Sequence, residues 1–237
     1  MSFLINTSSR TEEEEIMDDF SLSGDTLGKT LEQLAGINKW LGGNAVTFNG
    51  LKKMFKDQPK DELITIVDLG CGGGDMLRLI AEYGRKNGYH FKLIGIDANQ
   101  YTVDYAIKHS RDYHEISFLK QDIFSEEFKT LSYDLVIATL FLHHFKNEAI
   151  LKIIQESSKK ANIGVLINDL HRHRLAYYLF KLLSITIKNK MVKEDGLTSI
   201  LRGFKRKDLN HISKQLNAKS IIKWKWAFRY QWIIKNK

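Results

Sequence analysis

Four glycines within five positions stand between two apolar segments in the first half of the chain. They belong to the run Val67-Asp68-Leu69-Gly70-Cys71-Gly72-Gly73-Gly74-Asp75. β-Branched residues precede this run, and apolar residues at helical spacing follow it. Glycines placed this way let a chain leave a strand, pass close to a ligand and enter a helix whose first N–H groups are free. The pattern predicts a nucleotide-binding turn between a strand and a helix.

Two acidic residues flank this turn and restrict the kind of nucleotide. The dinucleotide fingerprint G-x-G-x-x-G needs a glycine where Asp75 stands. Asp68 and Asp75 would also repel a diphosphate at close range. Acids beside the turn therefore favour a cationic ligand. The alternative is a plain strand-to-helix turn, but its glycines would then cost conformational entropy without a purpose.

Further acids follow the next two predicted strands. Asp97 ends one strand, where a carboxylate can accept hydrogen bonds from both hydroxyls of a ribose, and Asp122 follows the next. Because the carboxyl ends of parallel strands meet at one edge of a sheet, we expect both acids and the glycine turn to surround one crevice. A helix-capping role is the alternative for Asp97.

Histidines occur in pairs after the fourth and fifth predicted strands. His143 and His144 follow the fourth, and His171 and His173 follow the fifth. A histidine can remove the proton of a phenol or enol near neutral pH. Since two adjacent residues cannot both face a cleft equally, we expect His144 to be the base and place His143 second. A structural role is the alternative, and histidines without a nearby cysteine or acid cluster do not predict a metal site.

Alternating strands and helices predict an α/β fold with a doubly wound, Rossmann-like sheet of seven strands. The last two predicted strands alternate polar and apolar residues, which indicates a closing antiparallel pair and an antiparallel C-terminal edge strand. The predicted strands are residues 63–67, 91–97, 116–119, 133–139, 164–168, 219–226 and 229–234.

Helices are expected on both sides of this core. Acids between Thr11 and Asp19 favour a helix N-terminus, and amphipathic helices follow over residues 26–41 and 45–55. We expect residues 1–58 to form an N-terminal helical lid and residues 59–237 the core. A substrate-cap insertion is expected around 175–208, with an apolar helix over 175–187 and an irregular remainder.

Composition limits the class of protein. A chain of 237 residues can bury one α/β domain with additions. The single cysteine, Cys71, excludes an internal disulfide and is expected to pack rather than react, which favours a reducing cytoplasm. No apolar run reaches the length of a transmembrane helix, and no signal peptide is predicted.

Positive charge is concentrated late in the chain. The net charge is +8, and residues 202–237 hold eleven Lys or Arg against the single acid Asp208. Such a segment could bind nucleic acid, an anionic membrane surface or an acidic carrier protein. A solvated basic surface is the simpler alternative, and no motif of nucleic-acid-binding proteins is present.

The order acid–x–G–x–G–x–G from Asp68 to Gly74 resembles the first motif of class I S-adenosylmethionine-dependent methyltransferases, whose cofactor is cationic. Over roughly residues 15–235 the chain is similar to a bacterial group of small-molecule enzymes from polyketide, phenolic-lipid and pigment pathways, which are related to quinone methylases. The segments that carry this similarity are 17–19, 27–31, 37–43, 140–145 and 167–172.

The resemblance implies roles for individual residues. S-Adenosylmethionine would be the cofactor, with the adenine amino group on Asp122 and the ring against Ile123. The cofactor-binding residues that it implies are Asp68, Gly70, Cys71, Gly72, Gly74, Asp97, Ala98, Gln121, Asp122, Ile123 and Thr139. It also implies that Asn38, Trp40 and Gly43 close over the cofactor. The acceptor pocket would hold Asn168, Asp169, His171 and Arg172.

The expected reaction is O-methylation of a hydroxylated aromatic or polyketide-like molecule. C-methylation of a quinol, methylation of RNA and a non-catalytic cofactor-binding scaffold are the alternatives. Enzymes that methylate amino groups of nucleic acids often carry Pro-Pro after strand four, where this chain reads Ala138-Thr139-Leu140-Phe141. A nucleic-acid substrate is therefore not favoured, although aromatic residues among the late basic residues could stack on bases.

Overall fold

One mixed sheet of seven strands organises the computed structural model, which describes residues 5–235. Its strands are β1 (Leu63–Leu69), β2 (His90–Asp97), β3 (Ile116–Lys120), β4 (Leu135–Thr139), β5 (Gly164–Leu170), β6 (Lys219–Lys225) and β7 (Arg229–Lys235). Their order is β3-β2-β1-β4-β5-β7-β6. The first five strands are parallel, and β7 runs antiparallel to both β5 and β6. The predicted doubly wound sheet with a C-terminal antiparallel pair is confirmed.

Nine helices surround the sheet within residues 5–235. They are α1 (Asp25–Trp40), α2 (Gly43–Phe55), α3 (Asp75–Asn87), α4 (Gln100–His109), α5 (Glu126–Thr130), α6 (Asn147–Lys160), α7 (Arg174–Leu183), α8 (Lys190–Arg202) and α9 (Arg206–Ser213). Two short 3₁₀ turns lie at Ile16–Asp18 and Leu142–His144. None of these helices is long and apolar enough to cross a membrane.

Two segments differ from the sequence-based expectation. The segment expected to be irregular after residue 187 holds α8, whose inward side buries Asp195 and Arg202 beside Val192, so polar residues obscured its apolar periodicity. The acids between residues 11 and 19 do not begin a helix. They lie in an extended segment with one 3₁₀ turn, where the N–H groups of Ile16 and Met17 donate to the Asp195 carboxylate.

The two predicted lid helices pack in different ways. α1 lies along the carboxyl edge of the sheet, with Leu27 and Leu31 buried. α2 packs against β5 and β7, and its Leu51, Met54 and Phe55 join one of the two apolar clusters that cover the faces of the sheet. The domain bounds 1–58 and 59–237 stay predictions, and their residues 1–4 and 236–237 lie outside the described residues.

Leucine truncation can test whether α2 belongs to the core. Leu51 is 0% exposed, so we expect Leu51→Ala to lower the free energy of unfolding by about 2–5 kcal/mol. The matched control is Leu63→Ala at a position that is 62% exposed, for which we expect a change within about 0.5 kcal/mol. Chemical denaturation measures both, and equal effects would mean that α2 is a detachable lid.

Candidate functional site

A large cleft opens beyond the carboxyl ends of the parallel strands, where ligands of open α/β sheets bind. Its volume is about 1110 Å³. The glycine turn and the ends of β2 and β4 form its floor, α1 covers one side, and α7 and α8 cover the other. The 3₁₀ turn Ile16–Asp18 closes the space between these two sides. A cleft of this size can hold two ligands together.

The glycine turn needs glycine for both conformation and space. Gly70, Gly72 and Gly74 have φ values of 65°, 51° and 73°, which side chains disfavour. A Cβ on Gly70 would lie 2.1 Å from Cδ2 of Phe141. Gly70, Cys71 and Gly72 line the cleft, whereas Gly74 stands behind them as the N-cap of α3. The turn therefore presents bare backbone and the start of a helix to a ligand.

Unpaired hydrogen-bond acceptors face the space above this turn. Asp68 Oδ1 and Gln121 Oε1 are buried and have no hydrogen-bond partner among the described residues, and both side chains line the cleft. Burial raises the pKa of Asp68 well above its usual range, and the charges of Asp75 and Asp97 add to this. Buried acceptors without donors are costly, so they fit a ligand that supplies N–H or O–H groups.

Asp97 is held in place by the backbone. Its Oδ2 accepts a hydrogen bond from Gly72 N at 3.1 Å, and its Oδ1 accepts one from Asn99 N at 3.0 Å. Burial raises the pKa of Asp97 above its ordinary value. Asp122, in contrast, is exposed and its Oδ1 accepts from Phe124 N at 2.9 Å. Ala98, Ile123 and Thr139 also line the cleft.

His144 forms a dyad with a carboxylate from the N-terminal segment. Its Nδ1 lies 2.6 Å from Asp18 Oδ1, and its side chain is 25% exposed in the cleft wall. Burial raises the pKa of Asp18, but hydrogen bonds from His144 and Arg202 outweigh burial and hold that pKa well below its usual range. Because ionised Asp18 accepts the Nδ1 proton, Nε2 is the nitrogen left to accept a proton.

His143 is buried between two other carboxylates. Its Nδ1 lies 2.7 Å from Asp169 Oδ1, and its Nε2 lies 3.4 Å from Glu15 Oε1 without hydrogen-bond geometry. Burial lowers the pKa of His143, but Asp169 and Glu15 outweigh burial and raise that pKa to about 9. His143 is therefore an imidazolium at neutral pH.

Two arginines donate hydrogen bonds to the turn that carries both histidines. Arg202 donates from Nε to the carbonyl of His143 at 3.2 Å and from Nη2 to that of His144 at 2.6 Å, and it also pairs with Asp18. Arg10 Nη2 donates to the carbonyl of His143 at 2.7 Å. These bonds tie the N-terminal segment, α8 and the histidine turn into one unit.

Sequence reasoning missed the carboxylates and arginines of this unit. The sequence pattern places Glu15 and Asp18 at a helix start and Arg202 among the basic residues of the late segment. Only acids that become buried need cationic partners, and the residue types alone do not separate Glu15 from the exposed acids before it. The partners of Glu15 and Asp18 lie more than a hundred positions away, which sequence spacing does not reveal.

The predicted acceptor residues do not all reach the cleft. His171 lines it, and its Nδ1 accepts from Trp224 Nε1 at 3.2 Å. Burial, helped by the nearby cations, lowers the pKa of His171 to about 4, so this side chain is neutral. Asn168, Asp169 and Arg172 are buried behind the wall.

The polar atoms of these three buried side chains bond to other groups of the protein. Asn168 Nδ2 donates to the carbonyl of Gly43 and to Thr47 Oγ1, both at 3.0 Å. Arg172 Nη2 donates to Asp208 Oδ2 at 2.9 Å, and its other nitrogens donate to backbone carbonyls. Together with the Asp169–His143 contact, these bonds join β5 to α2, α9 and the histidine turn.

One group of side chains within the described residues could hold a metal ion. Glu15, His143 and His144 present possible ligand atoms within 4.8 Å of one another. However, both Nδ1 atoms already lie at hydrogen-bond distance from carboxylates, and His143 carries a proton at neutral pH. Protons would therefore compete with a metal here, and the absence of a metal stays a prediction.

Comparisons with known proteins agree on one fold and one domain type. A model of methyltransferase domains matches residues 60–226. The plantazolicin methyltransferase BpumL in complex with SAH has a TM-score of 0.62 at 16% identity. The superposition covers 88% of this chain and 90% of the BpumL chain. The magnesium protoporphyrin IX methyltransferase ChlM from Synechocystis PCC 6803 with bound SAM has a TM-score of 0.55 at 13% identity, with coverages of 93% and 89%.

A third solved structure is an O-methyltransferase family protein from Burkholderia thailandensis. It has a TM-score of 0.64 at 15% identity, and the superposition covers 94% of this chain and 63% of the Burkholderia chain. At these identities the solved structures establish the fold alone. No curated protein matches the chain significantly in sequence.

The raised pKa of His143 predicts how stability depends on pH. Below pH 6.5 the imidazolium is charged in both the folded and unfolded chains, so its ion pairs stabilise the fold fully. As the pH rises from 6.5 to about 9, the unfolded chain loses this proton first. We therefore expect this site's contribution to the free energy of unfolding to fall by about 3 kcal/mol over this range.

Denaturation at several pH values measures this effect. His143→Gln should flatten the decline between pH 6.5 and 9. His211→Gln, at an exposed histidine, is the matched control and should keep it. A His143→Gln protein with an unchanged slope would show that His143 is neutral in the folded state.

Proposed function

The chain belongs to a family of methyltransferase domains, and from this premise we propose that it methylates a hydroxyl oxygen of a small hydroxylated aromatic or polyketide-like molecule. S-Adenosylmethionine is the cofactor, and it supplies an electrophilic methyl group on a sulfonium. The observation that carries the proposal is the His144–Asp18 dyad at 2.6 Å, because it places a base in the same cleft as the glycine turn.

The residues around the glycine turn fit this cofactor. Asp68 Oδ1 and Gln121 Oε1 are unpaired acceptors that suit the amino groups of the cofactor, and a cationic ligand would favour the ionised form of Asp68 that burial disfavours. Asp97 is held by two backbone N–H groups, which leaves its remaining lone pairs for ribose hydroxyls. Asp122 and Ile123 are assigned to the adenine. These assignments remain proposals.

The contacts of the two histidines favour His144 over His143 as the base. His143 is an imidazolium at neutral pH and cannot accept a proton. His144 has its Nδ1 directed at Asp18, so its Nε2 can take the proton of an acceptor hydroxyl. The Asp18 carboxylate then stabilises the imidazolium that forms. His143, through Asp169, positions the turn.

Apolar side chains support a hydrophobic acceptor. Leu179, Phe180 and Leu183 of α7 line the cleft opposite the cofactor turn, and Trp226 stands at its mouth with 67% of its surface exposed. An in-line methyl transfer needs alignment of the acceptor and exclusion of water. An apolar wall beside a single base meets both needs for an aromatic molecule.

Burial weakens the argument for an RNA substrate. Tyr230 and Trp232 are 5% and 0% exposed, so they pack in the core and cannot stack on bases, whereas Trp224 and Trp226 are exposed. Arg206, Lys207 and Lys214 are exposed and could contact an acidic carrier protein, which we retain as a proposal. C-methylation of a quinol would use the same base and stays the alternative reaction.

Removal of the base tests the reaction. With the phenol or quinol that the wild-type protein methylates best, we expect His144→Gln to lower kcat by roughly 10²–10⁴ while the affinity for S-adenosylhomocysteine holds. Asp18→Asn should lower kcat less, because the imidazole itself remains. His211→Gln is the matched control. An equal loss of kcat in His143→Gln would move the assignment to His143.

Removal of the proposed ribose ligand tests the cofactor site. We expect Asp97→Ala to weaken S-adenosylmethionine binding by about 1–3 kcal/mol, the scale for unmatched hydroxyl groups. Asp112→Ala, at an exposed carboxylate, is the control. Calorimetric titration measures both, with a nicotinamide dinucleotide as the competing ligand. Unchanged affinity in Asp97→Ala, or binding of the dinucleotide alone, would contradict the assignment.

A further inference from the structure

A buried arginine without a partner faces the cleft at the start of β7. Arg229 is 3% exposed and belongs to the cleft wall. Its Nε and Nη1 have no hydrogen-bond partner anywhere in residues 5–235. Five N–H donors in a fixed fork make a guanidinium suited to carboxylates, so an unpaired one in a ligand cleft needs an explanation.

The guanidinium lies against the N-terminus of α2. A Cβ built on Gly43, the first residue of that helix, would lie 2.9 Å from both Cζ and Nη2 of Arg229. The group therefore occupies space that only a glycine leaves open. α2 is 13 residues long, and the first N–H groups of a helix have no partners within it and carry partial positive charge.

No described neighbour neutralises the Arg229 guanidinium and the positive end of α2. Asp169 is the one carboxylate that acts on Arg229, and it is already engaged by the His143 imidazolium. Asn38 Oδ1 is also unpaired beside Gly43, but an amide oxygen carries no net charge. Burial lowers the pKa of Arg229 to about 10. A buried cation is costly until an anion pairs with it.

Sheet order places this cation at the acceptor end of the cleft. β7 is three strands from β1 in the order β1-β4-β5-β7. At about 4.8 Å per strand, its start lies roughly 14 Å from the strand that carries the glycine turn. The neighbouring wall is formed by His171, Trp226 and Phe228, which are aromatic. The cofactor turn and the cation thus lie on opposite sides of the histidine turn.

We propose that Arg229, at the N-terminus of α2, binds a carboxylate of the acceptor, which makes the acceptor an aromatic acid. Two parallel N–H···O bonds from the guanidinium can hold such a group, and the positive end of α2 against the guanidinium adds to the attraction for an anion. The aromatic ring then lies along the apolar wall, with its hydroxyl toward His144. This inference rests on the proposed methyl transfer and names the class of its substrate.

Calorimetry with the protein saturated in S-adenosylhomocysteine tests the carboxylate site. The probes are salicylate, para-hydroxybenzoate and para-coumarate, each compared with its methyl ester. We expect at least one acid to bind about 10- to 100-fold more tightly than its ester, the range for charge-assisted hydrogen bonds. Arg229→Gln should abolish this preference, and Lys223→Gln, which removes an exposed cation from β6, should keep it.

A second measurement covers the possibility that the arginine only supports the fold. Because Arg229 is buried without a partner, we expect Arg229→Gln to leave the Tm of the free protein unchanged or to raise it. Arg229→Lys keeps the charge without the fork, so it should bind the acid with intermediate preference. The proposal would be overturned if Arg229→Gln lowered the Tm of the free protein and Arg229→Lys kept the full acid preference of the wild type.

Cofactor binding distinguishes the remaining outcomes. Wild-type protein that binds no S-adenosylhomocysteine would remove the proposed function itself. If Arg229→Gln loses affinity for S-adenosylhomocysteine but not for methylthioadenosine, which lacks the amino-acid moiety, the carboxylate belongs to the cofactor and the acceptor assignment is wrong. Equal binding of every acid and its ester, or no binding of any acid, would also overturn it.

Discussion

The acceptor half of this protein depends on a set of buried charges that pair across the whole chain. Glu15 and Asp18 come from the N-terminal segment, the two histidines from the end of β4, and Arg202 from α8. Buried charges stabilise a fold only when each finds its partner. The N-terminal segment must therefore be in place before His143 lies beside Glu15 and His144 beside Asp18. Position and chemistry are set by the same contacts.

The cofactor half has a different physical basis. Its groups belong to one short motif and to strand ends that the sheet holds in register, so parallel pairing alone brings Asp97 beside the glycine turn. No distant charge is needed for this. The two halves meet at the histidine turn, where Leu140 has a φ of 54° and its N–H donates to Asn168 O at 2.8 Å. A left-handed residue other than glycine at this junction is typical of functional sites.

Sequence reasoning could predict the first half well and the second half poorly. Glycine spacing and strand alternation are local signals, and the residues that they indicated line the cleft, apart from Gly74. Acids at a helix start and acids in a buried ion pair are the same residue types, so Glu15 could be placed only by its contacts. Arg172 follows a strand end, as ligand-binding residues often do, yet it donates to the carbonyl of Gly203 and to Asp208 within the protein. Polar residues at such an edge serve both purposes, and burial decides between them.

The position of β7 also explains why the neighbouring strand β6 carries basic residues. Because β7 lies between β5 and β6, both of its edges are paired, and β6 becomes an open edge of the sheet. Open edges can pair with another molecule and begin aggregation, and lysines on them oppose this through charge repulsion. β6 carries Lys219, Lys223 and Lys225 along its seven residues. Part of the positive charge therefore lies where it opposes edge-to-edge pairing of two sheets.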